Sequence, residues 1–497
     1  MRTRLRPLDG SFLRVETPNA HMHVGWSAIF EPHPDRPRPT AASLSESIAS
    51  RLHLAPRFRQ RLAFPPPPFD EPFWVDDTSF DICHHVVTLT SPEEPVNLSS
   101  LFALTDAAFS TPLDRKRPLW QVLLVPRLED GRIGMIAKLH HAMVDGLAAV
   151  DIALLLFDST PDPPDTASVG DWEPDPHPGR VQLALEAAVD TTGRMLGIAR
   201  GAAELALSPR RHATRVAETL RRVTAVVRDD ILTIAPESSV NVPIGPQRTL
   251  VRHRAAMADI LRAKQRPHIG LAADDHVTVN DVYLAAVAGA LRTLALRRGD
   301  VPQPLKVMVP VNLRGEDEHD GSGGNRISFC FVELPVQVST AEARLRRVHR
   351  ATSDFKRSER SAGSDIVLTA LGVLPTPLKS IAAKLAASPR TYNVTISNIP
   401  GPTSPLYMLG AQLEEAYPVV PLSEDHALSV GVFGYGDHAH FGFYADPGAL
   451  PDVRDLPAAT AAEIRALAGS PRRPRRRLQA VANGDSTPEP APVTPVS

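Results

Sequence analysis

The sequence predicts an α/β protein built as two comparable lobes. Three observations carry this. Residues 1–157 alternate strand-like and helix-like patterns, and a second such region runs from about Asn241 to Ser470. Between them lie a proline-rich stretch, Ser159–Gly179, and a segment of helical composition, Val181–Ile234. The third is size: 497 residues with 43% hydrophobic and 22% charged side chains suffice for two large cores and are too apolar for a disordered chain. The expected division is therefore 1–158, an N-terminal lobe; 159–240, a linker with connecting helices; 241–470, a C-terminal lobe; and 471–497, a basic and then proline-rich tail.

In the first lobe His21–Phe30 (HMHVGWSAIF), His85–Leu89, Trp120–Val125 and Ile133–Leu139 read as strands. Ala41–Leu54, Asn97–Phe109 and Gly146–Phe157 read as helices, the second with Asn97 as its N-cap. Ser159–Gly179 holds six prolines and no apolar period, which suits an extended crossover. Val181–Ile234, interrupted at Ser208-Pro209, packs between the lobes or also touches lipid. In the second lobe Arg248–Met257, Leu305–Val311, Ile327–Leu334, Tyr392–Ser397, His426–Phe433 and Ala439–Tyr444 read as strands. Val279–Leu296, Ala341–Arg360, Asp365–Leu374, Leu378–Ala387 and Pro457–Ala468 read as helices, with Pro375 and Pro377 parting the third from the fourth. The tail beyond is expected to be disordered.

Composition narrows the chemistry. Lys+Arg is 54 against Asp+Glu 56, a net charge of −2, which argues against a nucleic-acid partner. Two cysteines, Cys83 and Cys330, exclude a disulfide scaffold and any four-cysteine metal site. The opening MRTRLRPLDGSFLRVE lacks the apolar run of a signal peptide, and neither Gly146–Phe157 nor Val367–Leu378 approaches the ~20 residues of a membrane span. The expectation is a cytoplasmic protein, soluble or resting on a membrane or lipid-droplet surface.

The sharpest local feature is Leu139-His140-His141-Ala142-Met143-Val144-Asp145-Gly146, between a strand pattern and a helical one. Neighbouring residues on a strand face opposite ways, so unless the strand ends between them one histidine should face packing and the other a cleft. A neutral imidazole with a pKa near 6.5 suits removal of a hydroxyl proton. Asp145-Gly146 is a turn dipeptide whose carboxylate can orient an imidazole or pair with an arginine. Other chemistries find little support. His84-His85 opens a strand with its rings splayed, and Asp317-Glu318-His319-Asp320 sits in a glycine-rich polar loop. Gly321–Gly324 lacks a nucleotide-binding spacing, and there is no GxxxxGK[ST] or GxSxG element.

His140–Gly146 fits the HHxxxDG pattern of the CoA-dependent acyltransferase superfamily, and the chain resembles the bacterial wax ester synthase/diacylglycerol acyltransferase family. Six further segments, in that family's order, carry the resemblance. They are Pro7–Gly25; Pro112–Trp120 (PLDRKRPLW); Thr278-Val279-Asn280-Asp281-Val282; Val309-Pro310-Val311-Asn312-Leu313-Arg314; Gly324-Asn325-Arg326; and Ser397-Asn398-Ile399-Pro400-Gly401-Pro402. The resemblance implies two chloramphenicol-acetyltransferase-like lobes with mixed sheets and a tunnel between them. Acyl-CoA would enter from one side and diacylglycerol or a long-chain alcohol from the other, giving triacylglycerol or wax ester. His141 is the implied general base, with direct attack of the hydroxyl on the thioester and no acyl-enzyme. Asn280 is either a donor to the oxyanion or a structural hydrogen bond. Asp145 is structural or orients the base, and Gly146 lets the backbone approach the histidine loop. His140 is expected to pack.

Pro118, Leu119 and Trp120 line the acyl path or belong to the core, and Ser397 and Asn398 lie near the reacting carbonyl or in a rigid turn. Direct transfer requires no metal and no cofactor, acyl-CoA being a substrate. Two alternatives keep the fold: a different hydroxyl acceptor, such as a polyketide, or a lipid-surface binding protein without turnover.

Overall fold

The computed structural model describes residues 2–143 (apart from 68 and 70), 152, 155–162, 172–207, 233–266, 276–312, 327–357 and 376–469, with four single positions between 218 and 228. Asp145, Gly146, Ser208-Pro209, Asp317–Asp320, Gly321–Arg326, the expected helix Asp365–Leu374 and the tail from residue 470 lie outside the described residues, as does most of Gly146–Phe157.

In chain order the elements are β1 (Thr3–Arg4), α1 (Pro7–Val15), β2 (His23–Glu31), α2 (Ala41–Arg51), β3 (Gln60–Ala63), β4 (Phe73–Asp76), β5 (Val86–Thr88), α3 (Leu98–Ser110), β6 (Trp120–Val125) and β7 (Ile133–His140). There follow α4 (Arg180–Leu207), β8 (Thr249–Ala256), α5 (Met257–Gln265), α6 (Val279–Arg298), β9 (Leu305–Asn312), β10 (Ile327–Leu334), α7 (Ala341–Arg357) and α8 (Thr376–Ala386). The last are β11 (Val394–Pro400), β12 (Tyr407–Met408), β13 (Ala411–Val419), β14 (Leu428–Tyr435), β15 (His438–Ala445) and α9 (Leu456–Ala468).

Two six-stranded mixed sheets organise the chain. One has the order β12-β13-β2-β7-β6-β5 and the other β10-β9-β11-β14-β15-β8. In the first, only β5 and β6 run parallel; in the second, β11 runs parallel to both β9 and β14. A small sheet, β1-β4-β3, flanks the first. The α/β class and the mixed sheets agree with expectation.

The boundary at 240/241 does not separate the sheets, however. Strands β12 and β13, from the C-terminal half, complete the N-terminal sheet, with β13 antiparallel to β2 from Gln412↔Glu31 to Val419↔Gly25. Glu414, Glu415 and Pro418 break the apolar alternation of this strand, so the pattern alone does not predict it. A bulge between Leu413 and Glu415 shifts the register. Glu415 is then buried but paired with Arg132 at 3.4 Å, Arg254 at 3.2 Å and the Tyr417 hydroxyl at 2.6 Å.

Where β13 crosses the second sheet, glycine makes room. A Cβ on Gly442 would stand 2.1 Å from the Pro418 carbonyl oxygen, which is backbone and cannot swing aside. Gly442→Ala should therefore loosen the junction and cost about 1–3 kcal/mol or more. Gly193→Ala, in a helix with nothing within 4 Å of the added carbon, should instead stabilise by up to about 1 kcal/mol. Urea melts of the two variants check the contrast; equal stability would contradict the crossing as drawn.

Helix α6 is the centre of the C-terminal core. Thr278 and Asp281 form a reciprocal capping box at its start, and Gly299, at φ +78°, ends it in the left-handed conformation. Residues from Asp281 to Leu291 are all buried. Among the described residues it is the one helix long and apolar enough to cross a membrane, and 67% of that apolar stretch is buried inside the protein. The connecting helix α4 packs on the small sheet, with Leu183 and Ala187 against Ala63, Phe73 and Val75. Arg2 pairs with Glu186 at 2.7 Å and Arg4 with Asp190. Helix α8 begins one residue before Pro377, a position in the first turn that tolerates proline, and Lys379 reaches the fully buried Glu71 at 2.6 Å.

Candidate active site

Strand β7 runs through His140 and stops there, and His141 opens a short 3₁₀ turn, His141–Met143. The two histidines thereby part company. His140 is buried opposite His23 in the β2–β7 ladder, and its N–H donates to the Leu119 carbonyl at 2.9 Å. Its Nε2 donates to Glu16 Oε2 at 3.1 Å, while its Nδ1 accepts the Ala142 N–H at 3.0 Å. Those two bonds suit one tautomer, the neutral ring protonated at Nε2. Arg115 pairs with the same Glu16 oxygen. Burial pushes the Glu16 carboxyl up, but His140 and Arg115 outweigh it and hold the pKa below the usual range.

His141 takes a different place. Its N–H donates to the Met22 carbonyl at 2.8 Å, and its ring stacks on Phe12 of α1, centroids 3.8 Å apart and planes 22° from parallel. The residue is half-buried, and Nδ1 is buried with no hydrogen-bond partner among the described residues. Desolvation pushes its pKa down to about 4, well under the value near 6.5 expected from the residue type alone. The imidazole is neutral at physiological pH and has a lone pair to accept a proton. Helix α1, which supplies Phe12, also packs against α8 of the C-terminal half, so the ring lies where the two halves meet.

Two residues outside the expected site complete the surroundings. Lys138 lies two positions before His140 and so on the same strand face. It is buried and donates to the Ala108 and Thr111 carbonyls at the end of α3, at 2.8 and 3.0 Å. Desolvation lowers its pKa to about 8. A lysine inside the apolar run IGMIAKLH was its only sequence signal. Glu16 gave none, because its partner is 124 residues away.

Glu16 fixes His140, and His140 fixes the turn that presents His141. Glu16→Gln keeps the shape but removes the charge. It should lower kcat about tenfold with KM nearly unchanged, and Glu16→Asp should recover part of the loss. Steady-state kinetics of both variants check this; an unaltered kcat in Glu16→Gln would remove Glu16 from the chain of contacts.

The remaining expected residues separate. Trp120 belongs to the packed core: its Nε1–H donates to the Phe58 carbonyl at 2.8 Å, and its ring stacks on His85 at 4.5 Å. Leu119 and Pro118 are buried beside it. Ser397 and Asn398 are half-buried on β11, paired with Gly431 and Val432 of β14. Asn280 is half-buried in the first turn of α6, and no hydrogen bond joins it to His141 among the described residues. The neighbouring Asp281 carries the polar network, accepting from His349 Nδ1 at 3.0 Å and the Thr352 hydroxyl at 2.7 Å. His84 is exposed and His85 buried under Trp120, so the pair is splayed; it does not open a strand, however, since His84 ends a 3₁₀ turn, Ile82–His84, and β5 begins only at Val86.

Two α/β halves sharing a crossing strand, with a neutral histidine at the end of a central strand, define a two-lobed acyltransferase fold. The same fold is found in the TRI3 trichothecene 15-O-acetyltransferase of Fusarium sporotrichioides, with a TM-score of 0.56 at 12% identity over 94% of this chain and 95% of that one. Residues 5–283 match the model of the wax ester synthase/diacylglycerol acyltransferase catalytic domain, and residues 323–468 that of the family's C-terminal domain. The chain belongs to the wax ester synthase/diacylglycerol acyltransferase family. It is similar to a probable diacylglycerol O-acyltransferase of Mycobacterium tuberculosis, 30% identical over 477 residues that cover 91% of this chain and 93% of the relative. It also resembles the wax ester synthase/diacylglycerol acyltransferase of Marinobacter aquaeolei, with a TM-score of 0.63 at 26% identity, covering 94% of this chain and 98% of that one.

Proposed function

We propose that this chain transfers a fatty acyl group from acyl-CoA to the hydroxyl of diacylglycerol or a long-chain alcohol, with His141 as the general base. The observation that supports the catalytic role is the neutral, partly desolvated imidazole of His141, held on Phe12 at the end of β7. In this reading the imidazole takes the hydroxyl proton as the oxygen attacks the thioester carbonyl. The C–S bond then breaks and the proton passes to the departing CoA thiolate. Asn280 is a candidate donor to the oxyanion, and Asp145 and Gly146 are assigned to shaping the turn. No metal or cofactor enters this scheme, so excess EDTA should leave the rate unchanged. The test is product formation from labelled acyl-CoA with diacylglycerol, long-chain alcohols and a polyketide-type hydroxyl in parallel. Ester from the first two supports the reading; ester from the third alone, or none, refutes it.

The acceptor and the acyl chain are apolar, and the protein offers apolar surface to match. Val181, Leu185 and Val189, four residues apart on α4, are exposed, as are Leu378, Ile381 and Leu385 on α8. With the basic run Arg472–Arg477, these residues are proposed to rest on a membrane or droplet surface, each basic residue contributing ~1 kcal/mol on an anionic bilayer. Liposome flotation of the full chain should exceed that of a chain ending at Ser470 and fall with salt. Equal, salt-insensitive binding of both would sink the contribution of the basic tail.

A further inference from the structure

A groove of about 710 Å³ lies between α3, the edge strand β8 and the crossing strand β13. It is remote from His141. Glu415, on its wall, aligns through Ile29 with Gly134, six residues along β7 from His140, which is about 20 Å at the rise of a β-strand.

The charges lining this groove do not balance internally. Its two carboxylates are already engaged. Asp106 accepts the Leu250 N–H at 2.7 Å and the Thr249 hydroxyl at 2.9 Å. Glu415 accepts the Tyr417 hydroxyl and pairs with Arg132 and Arg254. Arg252 and Arg454 also line the groove; Arg454 is near enough to act on Asp106 and Glu415 on Arg252, but neither arginine forms a salt bridge within 4 Å among the described residues. Arg252 is half-buried, its guanidinium carbon 3.8 Å above the Phe102 ring and 6.0 Å from that of Tyr417. Stacking fixes the plane of the guanidinium; the Tyr417 hydroxyl meets part of its N–H edge and the remainder faces the groove, where an acceptor can reach it. Burial lowers the Arg252 pKa although Tyr417 and Glu415 act against it, so a further anion in the groove would be favourable for this partly desolvated cation.

We propose that this groove binds a phosphate-bearing anion, with Arg252 clamping the phosphate through its planar edge and Arg454 adding charge from the rim. The phosphate has two possible sources: the nucleotide end of CoA, or a free phosphate compound acting apart from the reaction. Planar, multi-acceptor recognition suits phosphate better than a halide or a single hydroxyl.

Calorimetric titration of the full chain with pyrophosphate, CoA and pantetheine tests this without turnover, so a failure here is distinct from a failure of the acyl-transfer reading. Pyrophosphate should bind, more weakly at high salt, and pantetheine should not compete with it. Arg252→Gln should weaken pyrophosphate binding about tenfold or more, and Arg454→Gln, at an exposed position with no fold to disturb, should weaken it measurably. Competition between CoA and pyrophosphate would assign the groove to the nucleotide end of the substrate. Independent binding of the two would assign it to a free phosphate compound. The proposal is overturned if pyrophosphate fails to bind the wild type, or binds Arg252→Gln and Arg454→Gln as tightly as wild type.

Discussion

Replacing His141 by alanine should lower turnover by about 10²–10⁴-fold, the usual contribution of a positioned general base. Acyl-CoA affinity should stay near that of the wild type, because in the proposed role the lost group acts on the acceptor hydroxyl and not on the donor. The melting temperature should change little: the His141 backbone bond to Met22 survives the substitution, and the ring is only half-buried. The pH profile carries a further signature. With a pKa of about 4, His141 is unprotonated over the whole range above that value, so the acid limb of the rate should lie near pH 4 and not near 6.5. His140→Ala should behave differently. It removes the partner of Glu16 and the acceptor of the Ala142 N–H, so stability should fall together with rate.

Glu463→Ala should destabilise the protein by about 3–5 kcal/mol, the usual cost of stranding one member of a buried ion pair. Glu463 Oε1 receives Arg344 Nε at 3.0 Å and a second guanidinium nitrogen at 2.5 Å, and both side chains are almost fully buried. Arg344 also donates to the Val338 carbonyl at 2.6 Å. The pair ties α7 to α9 directly beneath α6, where Gly289 leaves room for the carboxylate: a Cβ there would come within 2.2 Å of it. Without the carboxylate the guanidinium keeps one carbonyl and no counter-charge. Arg344→Met combined with Glu463→Met should recover much of the loss, because no charge is then left unpaired. Denaturant midpoints of the single and double variants check this. A single variant as stable as the wild type would show that the pair contributes nothing.

The elements legible in the sequence were those whose apolar pattern is nearly continuous. Strands β6, β7 and β10 lie within a residue of their expected bounds, and Asn97 caps α3 as its position suggested, accepting the Ser100 N–H at 2.9 Å. Those that escaped have their stabilising partners far away in sequence. Helix α1 has no side-chain N-cap bond, and its neighbours α8 and the His141 turn come from distant segments. Strand β13 is anchored by arginines at 132 and 254, without which Glu415 looks like a loop residue. The site shows the same division. The histidine pair was legible from its position between strand and turn together with the family pattern. The asymmetry between the two rings was expected from strand alternation, but it arises instead because β7 ends at His140 and a 3₁₀ turn begins at His141. Glu16 and Lys138 were not legible, because what makes them important is burial beside a partner that only the fold supplies.

The most direct test of the account measures CoA thiol and labelled ester in the same reaction, with and without diacylglycerol or alcohol. Direct attack of an acceptor hydroxyl activated by His141 predicts thiol release only when acceptor is present, equimolar with ester, and near background in His141→Ala. Thiol released without acceptor, leaving the protein itself acylated, would contradict direct transfer. A folded His141→Ala protein that still makes ester at close to the normal rate would contradict the assignment of the base.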